Sequence, residues 1–137
     1  MENIYKVIIG IAGATASFLF GGWSLLLQTL VLFIILDYVL AVIVAATHGK
    51  LNSRVGFRGI AKKVTILVLV AVAHQVDLIL GDNSFIRDAV IFFYVANELI
   101  SILETVAHTG LPIAAPLQKV VDVLREKGGD KNERADS

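Results

Sequence analysis

Nine polar or ionisable side chains interrupt stretches of this sequence that are otherwise almost entirely apolar. Asp37 is the single charged residue of the run 24–46. His74 and Asp77 stand three residues apart near the end of the run 64–80. The run 86–107, with His108 directly after it, holds the remaining six. The complete set is Asp37, His74, Asp77, Tyr94, Asn97, Glu98, Ser101, Glu104 and His108. Side chains of these types can carry protons, pair with charges or bind metal ions.

The chemistry open to these residues is limited by what accompanies them. His74 and Asp77 would supply only two metal ligands in a chain without cysteine, so we expect no metal site. As neighbours on a helix, they are instead expected to form a local ion pair or hydrogen bond. No glycine-rich phosphate loop, nucleophilic triad or nuclease carboxylate cluster is present. We therefore expect neither a cofactor nor an enzymatic activity.

Asp37 lies about nine residues from the end of its apolar run, which corresponds to a depth of about 13 Å in a helix. A carboxylate there costs about 2.5–3.5 kcal/mol on insertion scales, so it must be protonated, paired or wet. Ala41 and Ala45 follow on the same helix side and are candidates for close packing. Two interpretations stay open: a structural hydrogen-bonded residue, or a member of a water-filled path or subunit contact.

The third polar group forms a stripe on one helix. At 100° per residue its members fall within an arc of roughly 80°, with Glu98 at the edge. The arc contains Tyr94, Asn97, Ser101, Glu104 and His108, and the opposite arc contains Phe92, Leu99, Leu103 and Val106. The stripe either hydrogen-bonds to other helices of a bundle or lines water in a second state.

Membrane helices must position these side chains. The chain has 137 residues, of which 56% are hydrophobic and 18% charged, whereas soluble domains carry about 25% charge. Four runs have a length within the roughly 17–25 residues that cross a bilayer as a helix: 7–23, 24–46, 64–80 and 86–107. The expected fold is all-α, a four-span integral membrane bundle over residues 1–110. Balanced charge, with 12 basic and 12 acidic residues, indicates no nucleic-acid partner.

The first run has a rival interpretation. Ala14-Thr15-Ala16 matches a signal-peptidase site, which would remove residues 1–16. Glu2 offsets Lys6 before the run, however, and the apolar stretch continues to Trp23. These features favour a retained span.

Small residues recur along the first span. At this spacing they allow two helix backbones to approach closely in lipid. The candidates are Gly10, Gly13, Ser17 and Gly21. Packing within the bundle and association between protomers both remain open.

Basic residues predict the topology. Five lie in the expected loop 47–63, namely Lys50, Arg54, Arg58, Lys62 and Lys63, and five more follow in the C-terminal tail. The positive-inside rule predicts that both segments lie in the cytoplasm. With four spans, both the N-terminus and the C-terminus are then expected on the cytoplasmic side (N-in, C-in). Gly49, Gly56 and Gly59 argue against a stable helix in the loop, whose basic side chains are expected to contact anionic headgroups.

Residues 111–137 are expected to form a short cytoplasmic amphipathic helix followed by a disordered, charged tail. The helix would begin after Pro112 and Pro116 and end before Gly128-Gly129. Its apolar stripe would contain Leu117, Val120, Val121 and Leu124.

Several of these motifs together resemble the holin 4 family of phage-lysis and toxin-secretion holins, over about residues 30–120. Asp37-Tyr38, with Ala41 and Ala45, resembles the family's second span, although Ala41 replaces the usual glycine. Leu51, Ser53, Gly56, Gly59 and Lys62-Lys63 resemble its loop, and Asp77 falls where its third span ends. Asn97-Glu98, Ser101 and Glu104 resemble its fourth-span signature, and Gly110 with Pro112 its exit.

The resemblance implies a multi-pass protein of the bacterial cytoplasmic membrane that forms homo-oligomeric lesions. These would release an endolysin, or in some members a toxin, to the cell wall. The alternatives are a small ion- or proton-coupled transporter, with the buried ionisable residues as a relay, and an accessory membrane subunit.

Overall fold

A computed structural model describes residues 1–123 and 126, apart from the side chain of Val55. Four long helices follow one another: α1 (Glu2–Phe20), α2 (Leu25–Thr47), α3 (Ser53–Leu80) and α4 (Phe85–His108). Residues 115–123 are also helical. Each of the four long helices is long and apolar enough to cross a membrane, which confirms the predicted number of candidate spans.

Short turns connect the helices, so consecutive helices run in opposite directions. The turns 21–24 and 81–84 lie at one end of the bundle, here called the turn end. The segment 48–52 and the C-terminal end of α4 lie at the other, here called the basic end. Helices are the expected form because a bilayer offers no water to bond a free backbone group.

Two caps define the turn between α1 and α2. Gly21 ends α1 in the left-handed conformation, with φ 77°, and its N–H donates to the Ser17 carbonyl at 2.9 Å. The Ser24 hydroxyl begins α2 by accepting from the Leu27 N–H at 3.2 Å. A Cβ on Gly21 would stand 2.5 Å from two ring atoms of His74. Gly21 therefore serves the turn and a close contact with α3.

The core lies among α2, α3 and α4. Its buried side chains are Leu27, Leu30, Ile34, Ile66, Val70 and Ile91. Helix α4 packs most extensively against α2 and next against α3, whereas α1 packs against α3. None of the α1 residues, all of which are described, is buried. The predicted small-residue stripe is open at Gly10 and Gly13, where a Cβ would meet nothing within 4 Å, whereas Gly21 contacts α3.

The expected loop 47–63 is wrong in extent, because α3 already begins at Ser53. Gly56 and Gly59 do not break the helix. The ring of Tyr38 packs on both glycines. A Cβ on Gly56 would lie 3.4 Å from Tyr38 Oη, and a Cβ on Gly59 would lie 3.3 Å from Tyr38 Cε2. Tyr38 also donates to the Gly56 carbonyl at 3.4 Å. The weak helix propensity of glycine is offset here by close packing.

The amphipathic helix is a prediction that the described residues do not confirm. Val121 is buried, but Leu117 and Val120 are exposed. Leu124 and the charged tail lie outside the described residues. The N-in, C-in topology likewise remains a prediction.

Candidate functional site

A cluster of three charged side chains and one hydroxyl lies between α2, α3 and α4, and is here called the central cluster. It consists of Asp37, Lys63, Glu98 and Ser101. The Lys63 ammonium donates to Asp37 Oδ2 and, at 2.6 Å, to Glu98 Oε2. The Ser101 hydroxyl donates to Asp37 Oδ1 at 3.0 Å. Three helices are thus connected through one lysine.

The central cluster lies deep in the bundle. Asp37, Lys63 and Glu98 are each about ten residues from the basic end of their helices, or about 15 Å. Asp37 and Glu98 are buried, and the Lys63 side chain is 17% exposed. Of the three conditions that the sequence allowed for Asp37, the structure selects pairing with a cation.

The charges of the central cluster do not balance when all three groups are ionised. Two carboxylates face one ammonium, which leaves one formal negative charge near the middle of the bundle. A buried charge pair already pays a large desolvation penalty, and an uncompensated charge adds to it. The cluster is therefore a place where a bound proton, or entering water, would change the stability of the helix contacts.

Lys63 is a correction to the sequence analysis, which grouped it with basic residues at the lipid headgroups. It points inward to the two carboxylates, while its neighbour Lys62 is exposed. The reason is helical geometry, because adjacent residues lie 100° apart and only one can face the bundle. Lys50, Arg54, Arg58 and Lys62 are all exposed, along a line that runs from the basic end to the depth of Lys63.

The predicted polar stripe of α4 is divided between two faces. Glu98, placed at its edge from sequence, is buried at its centre, and Tyr94 and Ser101 are half-buried beside it. The members that are exposed are Asn97, Glu104 and His108. Leu103, expected on the opposite and lipid-facing arc, is 7% exposed and therefore buried. The buried face of α4 is rotated toward Glu98 because that side chain pairs with Lys63.

The packing residues expected on α2 are also divided. Ala45 is half-buried, but Ala41 is exposed, so Ala41 does not support a close helix contact within the protomer. Sequence reasoning missed Tyr38 as the residue that packs on α3. The pairing of an aromatic residue beside Asp37 with two glycines before Lys63 was the available signal.

A second polar cluster ties the helices together at the turn end. Asp77 accepts from the backbone N–H groups of Ile86 at 2.9 Å and Arg87 at 2.7 Å, and so caps the N-terminus of α4. The expected His74–Asp77 contact is replaced by this cap. His74 lies against Gly21 instead.

Arg87 completes this second cluster, which with Asp77 and Asp88 is here called the turn-end cluster. No role was predicted for Arg87 from the sequence. It is buried, and its Nη1 donates to the carbonyls of Phe20 at 2.7 Å and Gly21 at 3.1 Å. The other guanidinium nitrogens donate to Asp88. The positive charge of Arg87 at the C-terminus of α1 also interacts favourably with the helix dipole. Arg87 thereby attaches α1 to α4.

Asp82 lies beside Asp77 in the turn between α3 and α4. Its Oδ1 is buried and has no hydrogen-bond partner within the described residues. Interaction with the Asp77 carboxylate, and then burial, raises the pKa of Asp82 above its ordinary value of 3.8. Across the described residues, no group of three or more potential metal ligands occurs.

Comparison with known proteins relates the chain to a described family. The sequence model of the bacteriophage holin family matches residues 14–126. A Listeria innocua protein is 48% identical and covers 99% of this chain and 97% of its own length. A Clostridium perfringens protein is 40% identical, with 93% and 99% covered. A protein of Bacillus phage phi105 named "Probable holin" is 34% identical, with 88% of each chain covered. No solved structure matches the chain.

Proposed function

The chain belongs to the bacteriophage holin family, and from that premise we propose that it is a holin that opens the bacterial cytoplasmic membrane. Copies accumulate as closed bundles, assemble, and form lesions through which an endolysin, or a toxin, reaches the cell wall. The chemistry required is a change of helix contacts, and no bond of a substrate is broken.

The observation that carries the proposal is the central cluster. Asp37, Lys63 and Glu98 are hidden between helices in a single protomer. Charged groups at this depth are stable only while paired or hydrated. A compact bundle supplies the pairing, and a water-filled lesion supplies the hydration. The same side chains can therefore favour two states, which a lesion-forming protein requires.

The uneven packing of the four helices supports the same proposal. The core lies among α2, α3 and α4, whereas α1 has no buried residue. The small residues Gly10 and Gly13 face open space. Surfaces of this kind are available for contacts between protomers in lipid. Assembly can therefore begin without unfolding of the core.

We place the basic end in the cytoplasm and at the anionic headgroups. The exposed basic residues Arg54, Arg58 and Lys62 recur every four residues on the first turns of α3. Each basic residue near an anionic surface contributes about 1 kcal/mol. Single cysteines at Ser53 and Asn83 test this orientation, because the chain has no other thiol. An impermeant thiol reagent applied to intact cells should label only the Asn83→Cys variant before lysis.

A proton-coupled transporter is the second candidate, and the two carboxylates that share Lys63 favour it. Such a protein would move protons or ions without releasing macromolecules. The experiment below distinguishes the two functions, because only a lesion passes a folded enzyme.

The proposed function is tested by induced expression in a bacterium together with a cytoplasmic peptidoglycan hydrolase that lacks an export signal. The optical density should fall abruptly at a fixed time after induction. Cells with either protein alone should not lyse at that time. A steady slowing of growth without release of the hydrolase would contradict the holin function and favour transport.

A further inference from the structure

The outward face of α4 carries a repeat that the central cluster does not use. Its positions alternate in steps of three and four residues: Val90, Phe93, Asn97, Ile100, Glu104 and Ala107. Phe93 is 62% exposed, and Asn97, Glu104 and Ala107 are also exposed. Val90 and Ile100, at the edge of this face, are half-buried, and Val90 also contacts the core. This spacing defines the contact seam of a left-handed helix pair. We call these six residues the α4 seam.

Asn97 lies near the middle of α4, at a depth where lipid tails surround an isolated protomer. Its side chain has no hydrogen-bond partner within the described residues. An amide exposed to hydrocarbon costs several kcal/mol unless it is bonded. An amide also carries both donors and an acceptor, so it is complementary to a second copy of itself.

An apolar groove opens beside the half of the α4 seam that is nearer the turn end. It has a volume of about 510 Å³ and is lined by α3 and α4 side chains that include Ala73, Ala89, Val90 and Phe93. Its volume is large enough to admit an aromatic side chain. Phe93 of a second copy has the size and the position to occupy it.

We propose that two copies of this chain associate through the α4 seam, in parallel and about a two-fold axis along the membrane normal. The proposal rests on the proposed function, since it names one surface through which copies associate. Copies with the same topology hold each residue at the same depth, so Asn97 meets Asn97. Phe93 of each copy enters the groove of the other. The contact leaves the central cluster closed.

Paired cysteine variants test the α4 seam in this cysteine-free chain. Phe93→Cys and Ile100→Cys lie in the seam, and their sequence neighbours Phe92→Cys and Leu99→Cys lie at nearly the same depth on another side. Membranes are oxidised with copper phenanthroline, and covalent dimer is measured on non-reducing gels. The seam positions should give several-fold more dimer than their neighbours. Equal or greater dimer at Phe92→Cys and Leu99→Cys would overturn the proposal.

Substitution of Asn97 gives a second, independent readout. Asn97→Leu should lower the dimer association constant roughly five- to thirtyfold, the range of interhelical hydrogen bonds in model membranes. Asn97→Gln should retain most of the association. Energy transfer between labelled copies in phosphatidylethanolamine–phosphatidylglycerol vesicles measures both constants. Undiminished association of Asn97→Leu would contradict the role of the amide.

Lysis of the same cells separates this inference from the proposed function. Lysis without preferential crosslinking in the seam would refute the interface and leave the holin function standing. Seam crosslinking without lysis would support the interface and refute the holin function.

Discussion

The two polar clusters of the bundle differ in the groups to which their charged side chains bond. At the turn end, Asp77 accepts from backbone N–H groups of α4, and Arg87 donates to backbone carbonyls of α1. In the central cluster, Asp37 and Glu98 bond to the side chain of Lys63. Backbone groups at a helix end are present in every state that keeps the helices, so the bonds to them can persist when the helix contacts change. Side-chain charges can be satisfied by water instead.

This difference assigns the clusters different roles. The turn-end cluster remains necessary as long as the helices exist, so it acts as a permanent attachment of α1, α3 and α4. The central cluster is necessary only while its surroundings are dry. Changes in the central cluster should therefore alter when lesions form, and changes at the turn end should alter how much folded protein is present.

Lys63→Met should produce the largest effect on timing. It leaves two carboxylates without their cation, and breaking a buried pair in this way destabilises by about 3–5 kcal/mol. Lysis should begin earlier at matched amounts of protein in the membrane, measured by optical density. Lys62→Met is the matched control, since it removes the same charge from an exposed neighbour. Lysis of both variants on the wild-type schedule would show that the central cluster does not hold the closed state.

Arg87→Met should reduce stability without changing timing. It removes charge-assisted bonds to Phe20 and Gly21, which contribute about 1.5–3 kcal/mol. The thermal midpoint in detergent should fall, while lysis at matched protein levels should keep its schedule. Asp88→Asn, at a half-buried partner of Arg87 whose amide oxygen can still accept, should leave the midpoint nearly unchanged. A shift in lysis time as large as that of Lys63→Met would remove the distinction between the two clusters.

Asp37→Asn should have a smaller effect on timing than Lys63→Met. The amide oxygen can still accept from Ser101, and Lys63 with Glu98 leaves no net charge. The variant cannot ionise at this position, so lysis should respond less to an uncoupler. Optical density with and without uncoupler measures this. A wild-type response would make Asp37 a purely structural residue.

Asp82→Asn should have the smallest effect. Because the folded protein raises the pKa of Asp82, ionisation opposes folding as pH rises from 3.8 through the higher folded value. The amide removes this opposition, so the thermal midpoint should rise at pH 7 and converge with wild type toward pH 3. An equal difference at both pH values would contradict the assigned effect of Asp77 and burial on the pKa of Asp82.

The number and approximate position of the helices could be predicted because apolar runs of this length have few alternatives. Asp37 could also be identified, since a lone charge in an apolar run needs a partner. The partner itself could not, because Lys62 and Lys63 are chemically identical and only the rotation of α3 about its axis decides which faces inward. That rotation depends on contacts between separate helices, among them the packing of Tyr38 on Gly56 and Gly59.

The orientation of α4 was less predictable for a related reason. Counting polar residues placed the centre of its stripe between Asn97 and Ser101, whereas the ion pair turns Glu98 inward and leaves Asn97 exposed. Hydrophobic patterning treats Glu98 and Glu104 alike. Only the position of Lys63 distinguishes the buried carboxylate from the exposed one. The role of Arg87 could not be predicted because its partners on the other helix and turn are the backbone carbonyls of Phe20 and Gly21, which a sequence does not identify.

A reversible lock across the central cluster tests most directly whether its opening is required for lesions. The side chains of Asp37 on α2 and Ser101 on α4 meet, with Oδ1 and Oγ 3.0 Å apart, so cysteines are placed at both positions and the disulfide between α2 and α4 is formed by oxidation. Cells that express the double variant with the hydrolase should not lyse while the disulfide is intact, and should lyse after a membrane-permeant reductant is added. Lysis of oxidised cells, with the disulfide confirmed on non-reducing gels, would contradict the account.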